Sequence, residues 1–116
     1  MTRYLLLIAD VEDRPQTEAE FAEMMGEYFA FGDWLKERGW DRGGEALEPS
    51  TTATTVSVRD GQRIVTDGPF AETKEQLGGY YVIDVPSLDD ALDAAARIPG
   101  ARTGRVEVRP IMELGG

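Results

Sequence analysis

Apolar positions along this chain change rhythm from one short segment to the next, and each rhythm predicts an element. Residues 4–9, Tyr-Leu-Leu-Leu-Ile-Ala, form a continuous apolar run, the pattern of a strand covered on both faces or lying at an oligomer interface. After an acidic link containing Pro15, Thr17-Glu18-Ala19-Glu20 has the spacing of a capping box, in which Thr17 accepts from an early backbone N–H and Glu20 reaches back. Phe21, Met24, Met25, Tyr28, Phe31 and Leu35 then recur every three or four residues, so the spacing predicts a long one-faced helix ended by Arg38-Gly39. Gly26 and Gly32 inside it each disfavour helix by roughly 1 kcal/mol relative to alanine, which points to close approach of another backbone or to a bend.

Gly43-Gly44 reads as a turn, and residues 45–48 before Pro49 as a short strand. Residues 54–59 and 62–66 are β-branched runs separated by Asp60-Gly61, a hairpin signal because both turn positions tolerate positive φ. Pairing 59 with 62 sets Val56 opposite Val65. Residues 79–85 predict the next strand, with Tyr80 and Tyr81 on opposite faces. Ser87 to Asp90 repeats the capping spacing, and Leu88, Ala91, Leu92, Ala95 and Ile98 make the stripe of a second helix stopped by Pro99-Gly100. Residues 105–112 predict a final strand. The order fits an α+β fold, a ferredoxin-like sandwich with an inserted β-hairpin: an antiparallel sheet with both helices on one face. Apolar residues on both sides of the strands at 4–9 and 79–85 leave the other face in need of cover, and dimerisation is the simplest cover.

Composition narrows the chemistry. With 116 residues the chain has the length of a single domain, 1–116, able to bury a real core. It contains neither cysteine nor histidine, which excludes disulfides, zinc-thiolate sites, thiol nucleophiles and the side chain most used as a general base near neutrality. No cofactor or metal is implied. The net charge of −10 repels phosphate backbones, so no direct nucleic-acid binding is expected. Acidic residues follow the first apolar run at once, no stretch reaches membrane-spanning length, and the expected location is cytoplasmic with no membrane contact.

Between residues 66 and 81 lies a dense mix of turn formers, carboxylates and an ammonium. Asp67-Gly68-Pro69-Phe70-Ala71-Glu72-Thr73-Lys74-Glu75, followed by Gly78-Gly79-Tyr80, resembles the signature of the DGPF subgroup of the YCII-related proteins. The Asp60-Gly61 hairpin, Ala95-Ala96-Arg97-Ile98-Pro99 and Val106-Glu107-Val108-Arg109-Pro110 fit the same resemblance, which covers nearly the whole chain. It implies a homodimer pairing as a dimeric α/β barrel, with a cleft near the end of the DGPF hairpin. Wider relatives carry a His–Asp pair in that cleft, and a few act on chlorinated ring-cleavage products; a chain without histidine has no such pair. A regulatory setting linked to extracytoplasmic-function sigma factors is also implied for this subgroup.

The residues themselves leave alternatives open. A partly desolvated Asp67 at a rigid turn can serve as acid or base, or accept backbone N–H groups within its own turn. Glu72, Lys74 and Glu75 read as a charged cleft mouth or as a solvated surface turn. One of Tyr80 and Tyr81 belongs to the core and the other can present a hydroxyl. Arg105, Glu107 and Arg109 lie on or near one face of the last strand, where Arg109 can clamp a ligand carboxylate or join a cross-strand ion pair. Trp34 and Trp40 read as packing residues. Asp67, Phe70, Glu72, Lys74, Tyr81 and Arg109 are therefore the candidate ligand-binding set, with Asp67 the candidate catalytic group. The expected function is a small-ligand-binding or regulatory homodimer. The alternatives are a small lyase- or isomerase-like enzyme using Asp67, and a purely structural subunit.

Overall fold

Alternation along the first strand divides the molecule into two sides. In the computed structural model, which describes residues 1–115, β1 (Thr2–Asp10) buries Tyr4, Leu6 and Ile8 on one face and leaves Leu5 and Leu7 half-buried on the other. The remaining elements are α1 (Glu18–Glu37), β2 (Asp41–Ala46), β3 (Thr54–Arg59), β4 (Gln62–Asp67), β5 (Gln76–Val85), α2 (Leu88–Arg97), α3 (Gly100–Thr103) and β6 (Arg105–Pro110). Four strands form an antiparallel sheet in the order β2-β5-β1-β6, and β3 with β4 forms a separate two-stranded ribbon. The result is an α+β architecture compatible with the ferredoxin-like arrangement.

The helices share the face of Tyr4, Leu6 and Ile8. Phe31 and Leu35 of α1, Ala91, Ala94 and Ala95 of α2, and Ile98 close a core over these residues and over Ile83 and Val85 of β5. The capping box of α1 is formed: Glu20 N–H donates to Thr17 Oγ1 at 3.1 Å, and Thr17 N–H donates to Glu20 Oε1 at 3.2 Å. Its end uses Gly39 at φ +70°, with Trp40 N–H reaching Leu35 O at 3.0 Å. At the second helix start, Asp90 N–H donates to Ser87 Oγ.

Several sequence expectations change here. Phe21 is 53% exposed rather than core. A helix of this length runs about 30 Å, and burial is complete only at Phe31 and Leu35 in its C-terminal half. No backbone approaches Gly26 or Gly32 within 4 Å, and α1 is continuous through both. In α2 Ala91, Ala94 and Ala95 are buried while Leu88 and Leu92 are exposed. Small side chains let that helix sit close to the sheet, and the leucines flank the contact. Pro99-Gly100 ends α2 but opens the short α3 at once. Gly43-Gly44 is not a turn: both glycines lie inside β2, with a register irregularity between Asp41 and Gly44. A Cβ at Gly44 would fall 2.5 Å from Tyr80 O, so the glycine is what allows β2 to lie against β5.

Tyr80, Val82, Leu5 and Leu7 form the centre of the helix-free face, since Leu5 pairs with Val82 and Leu7 with Tyr80. Arg3, Asp84, Glu107 and Arg109 share that face by register. Asp84 Oδ1 is buried there without a partner, while its Oδ2 lies 3.6 Å from Arg42. At the C-terminal end of α1, the Trp34 ring lies between the guanidinium groups of Arg38, 4.1 Å away, and Arg97, 4.4 Å away, with Trp40 edge-on at 5.6 Å.

The ribbon pairs as the sequence predicts, Val56 opposite Val65 and Arg59 opposite Gln62. Asp60 and Gly61 both take positive φ, 52° and 74°, the requirement of a tight primed turn. The ribbon projects from the body. The molecule measures 48 × 47 × 17 Å with a radius of gyration of 16.3 Å, against about 13 Å for a compact chain of this length.

Candidate functional site

The segment between β4 and β5 is held by its own short bonds. Gly68, at φ +107°, donates its N–H to Ala53 O at 2.8 Å, and Thr55 Oγ1 donates to Gly68 O at 2.7 Å. These two bonds fasten the base of the hairpin. Further on, Gln76 Nε2 donates to Ala71 O and Thr73 O, at 3.1 and 3.0 Å, and the Thr73 hydroxyl donates to Glu75 O. The consequence is a closed bend that presents Thr73 and Lys74 outward.

A groove lies on each side of this bend. The first, about 690 Å³, has Ala9 and Val11 as an apolar floor, with Lys74, Glu75 and Arg105 around it. Arg105 is tied to Glu75, Nη2 to Oε1 at 2.6 Å. The second, about 450 Å³, runs between the bend and the base of the hairpin and is lined by Asp13, Ser50, Asp67, Pro69 and Glu72, together with Glu12. Glu12 Oε2 accepts the Ser50 N–H at 2.7 Å and so is committed to holding the groove's far wall. Thr73 and Lys74 belong to both grooves.

Asp10 braces the first groove from behind. Its carboxylate accepts from the Thr103 hydroxyl, from Val11 N–H at 2.7 Å and from Arg14 at 3.1 Å. Burial alone would push this carboxyl up, but the hydrogen bonds and the Arg14 charge outweigh it and hold Asp10 below the ordinary carboxylate range.

The structure thus brings Asp67, Glu72 and Lys74 to one groove. Among the described residues the Asp67 carboxylate has no hydrogen-bond partner, so it is not absorbed by its own turn. Phe70 is nearby in sequence but 87% exposed and outside the lining of either groove. Tyr81 is placed elsewhere: it faces the helices, meets Phe31 edge-to-face at 5.1 Å, and burial, with the Tyr28 and Asp41 charges, pushes its hydroxyl up to about 12. Tyr80 is the tyrosine on the open face. Arg109 is also on that face, paired with Glu107 of its own strand at 2.7 Å, so the ion pair runs along the strand rather than across it. Arg105, Val11 and Ser50 were not among the candidate ligand-binding residues. Only their long-range placement brings them to the grooves, although Arg105 does open β6 directly after Gly104. Among the described residues no group of three or more carboxylates is arranged to hold a metal ion.

Residues 2–115 match the YCII-related domain family. The chain belongs to the YCII-related family. This YCII-related chain is also similar to an uncharacterised protein of Rhizobium meliloti (strain 1021), 55% identical over 67 residues, a match that covers 56% of the chain and 54% of that protein. The chain therefore aligns with about half the length of that curated relative. Among the described residues, no helix of the YCII-related chain is long and apolar enough to cross a membrane.

Proposed function

We propose that this YCII-related domain, of the DGPF subgroup, is a cytoplasmic homodimer that binds a small organic ligand at the Lys74 bend. The observation that carries the reading is the Asp67 carboxylate, free of partners and facing the same groove as Glu72 and Lys74. An unpaired carboxylate beside an ammonium offers a polar ligand both an acceptor and a donor, and the apolar floor of Ala9 and Val11 in the adjoining groove takes a nonpolar portion. A regulatory setting beside a sigma factor belongs to the same proposal. Dimerisation covers the helix-free face of Leu5, Leu7, Tyr80 and Val82, and two sheets packed through it would form a dimeric α/β barrel.

The test is a thermal-shift screen of the wild type and Asp67→Asn against metabolite and aromatic-acid libraries. A ligand present at 100 times its dissociation constant adds about 2.7 kcal/mol, several degrees in melting temperature. Stabilisation in the wild type that is lost in Asp67→Asn is the expected result; equal stabilisation of both proteins would remove Asp67 from the site. The same free carboxylate favours a second reading, a lyase- or isomerase-like reaction with Asp67 as acid or base. Turnover of a bound hit that vanishes in a fully folded Asp67→Asn would select it.

A further inference from the structure

The two grooves that meet at the Lys74 bend carry opposite charge. Around the first, Lys74 and Arg105 stand against Glu75, two cations and one carboxylate, for a balance of +1. Around the second, Glu12, Asp13, Asp67 and Glu72 stand against Lys74, four carboxylates and one ammonium, for a balance of −3. Lys74 borders both grooves and is counted in each. Asp10, behind the first groove, adds no net charge there because Arg14 pairs with it at 3.1 Å. A chain of net charge −10 thus keeps a positive hollow directly beside a negative one, with Thr73 and Lys74 as their shared rim.

The side chains that set these balances are open to a ligand. The bonds that close the bend run from Gln76 and Thr73 to backbone carbonyls, and among the described residues Asp67, Glu72 and Lys74 have no side-chain partner. Arg105 gives one side to Glu75 and its side chain is still 83% exposed. A hydrocarbon acid lying across the rim would answer Lys74 but set an anion against Asp67; a hydrocarbon amine would answer Asp67 but crowd Lys74. An ion left unpaired as water is displaced weakens binding, so the ligand that suits both hollows carries both charges. Among the described residues no three carboxylates are arranged to hold a metal ion, and the cation that fits spread single acceptors is an organic ammonium, whose N–H groups donate separately. We infer that the ligand of the Lys74 bend is a zwitterionic amino acid. Its carboxylate accepts from Lys74 and Arg105, its ammonium donates to Asp67 and Glu72 in charge-assisted hydrogen bonds, and its hydrocarbon lies on Ala9 and Val11. The inference rests on the ligand-binding reading above and names the class of molecule that it takes.

Matched probes separate the two charges. The standard amino acids, and the ω-amino acids from γ-aminobutyrate to ε-aminocaproate, are each titrated beside the amine that lacks the carboxyl and the acid that lacks the ammonium. Calorimetry at low ionic strength reads the dissociation constants for the wild type, Lys74→Met and Asp67→Asn, with circular dichroism confirming that the variants are folded. At least one amino acid is expected to bind the wild type about tenfold or more tighter than either of its counterparts. In Lys74→Met its advantage over the amine is expected to vanish, and in Asp67→Asn its advantage over the acid. A counterpart that binds the wild type as tightly as the amino acid, and is weakened in either variant, overturns the zwitterion and leaves the ligand site standing. So does a series in which nothing binds while a library compound still stabilises the wild type and not Asp67→Asn. Amino-acid binding that survives both substitutions overturns the site along with the zwitterion, as does the failure of every compound in both sets.

Discussion

The body and the β3–β4 ribbon are built from the same kinds of residue and hold them by opposite means. In the body, Leu6, Leu35, Ile83, Val85 and Ile98 are fully buried between sheet and helices, and a methyl group removed there leaves a hole. In the ribbon, valines of similar size stand in the open, and register is set by the Asp60-Gly61 turn and two bonds at the base. The comparison teaches that hydrophobicity alone does not locate a core; what matters is whether another layer lies within packing distance. Substituting both regions measures the contrast. Ile83→Ala is expected to destabilise the chain by about 2 to 5 kcal/mol in urea unfolding, the usual range for truncating a buried aliphatic side chain; a change below 1 kcal/mol would mean the core relaxes around the site.

Asp10 tests the body from its acidic side. Its folded-state carboxyl titrates below the ordinary value of about 3.9, so its stabilising contribution is present above that value and is lost as pH falls through the folded-state value. Asp10→Asn is therefore expected to flatten the acid limb of a melting-temperature profile below about pH 4 while lowering stability at neutrality. An unchanged acid limb would show that Thr103 and Arg14 do not engage the charged form. The smallest effect belongs to the ribbon: Val58→Thr, at concentrations where the chain is monomeric, is expected to shift unfolding by no more than about 0.5 kcal/mol. A larger loss would reveal packing within the chain that the exposed valines do not show.

Where local chemistry decides an element, the sequence was a sufficient guide. Thr17 and Glu20 announced the start of α1, Ser87 and Asp90 that of α2, and Asp60-Gly61 the hairpin with its register. Where tertiary fit decides, it was not. Gly43-Gly44 looks like a turn in one dimension and serves as a close-packed edge strand in three, because the reason for Gly44 is Tyr80 O, on a strand far along the chain. Phe21 keeps the helical rhythm but lies beyond the fully buried part of its helix. At the candidate site, the 67–75 bend was visible as irregular, polar sequence. Its walls were not, since they combine Val11, Glu12, Ser50 and Arg105 from three separate stretches. Tyr80 and Tyr81 illustrate the limit: alternation shows that they face opposite ways, and only the helices decide which one is covered.

Both tryptophans of the chain sit in one corner, Trp34 and Trp40 at 5.6 Å from each other beside Arg38 and Arg97. Intrinsic fluorescence will consequently report on the end of α1 and its seam with α2, and will be silent about the ribbon and the Lys74 bend. An emission titration that shows no change on adding a ligand would carry no information about binding there. Optical studies of this molecule need a reporter placed in the ribbon.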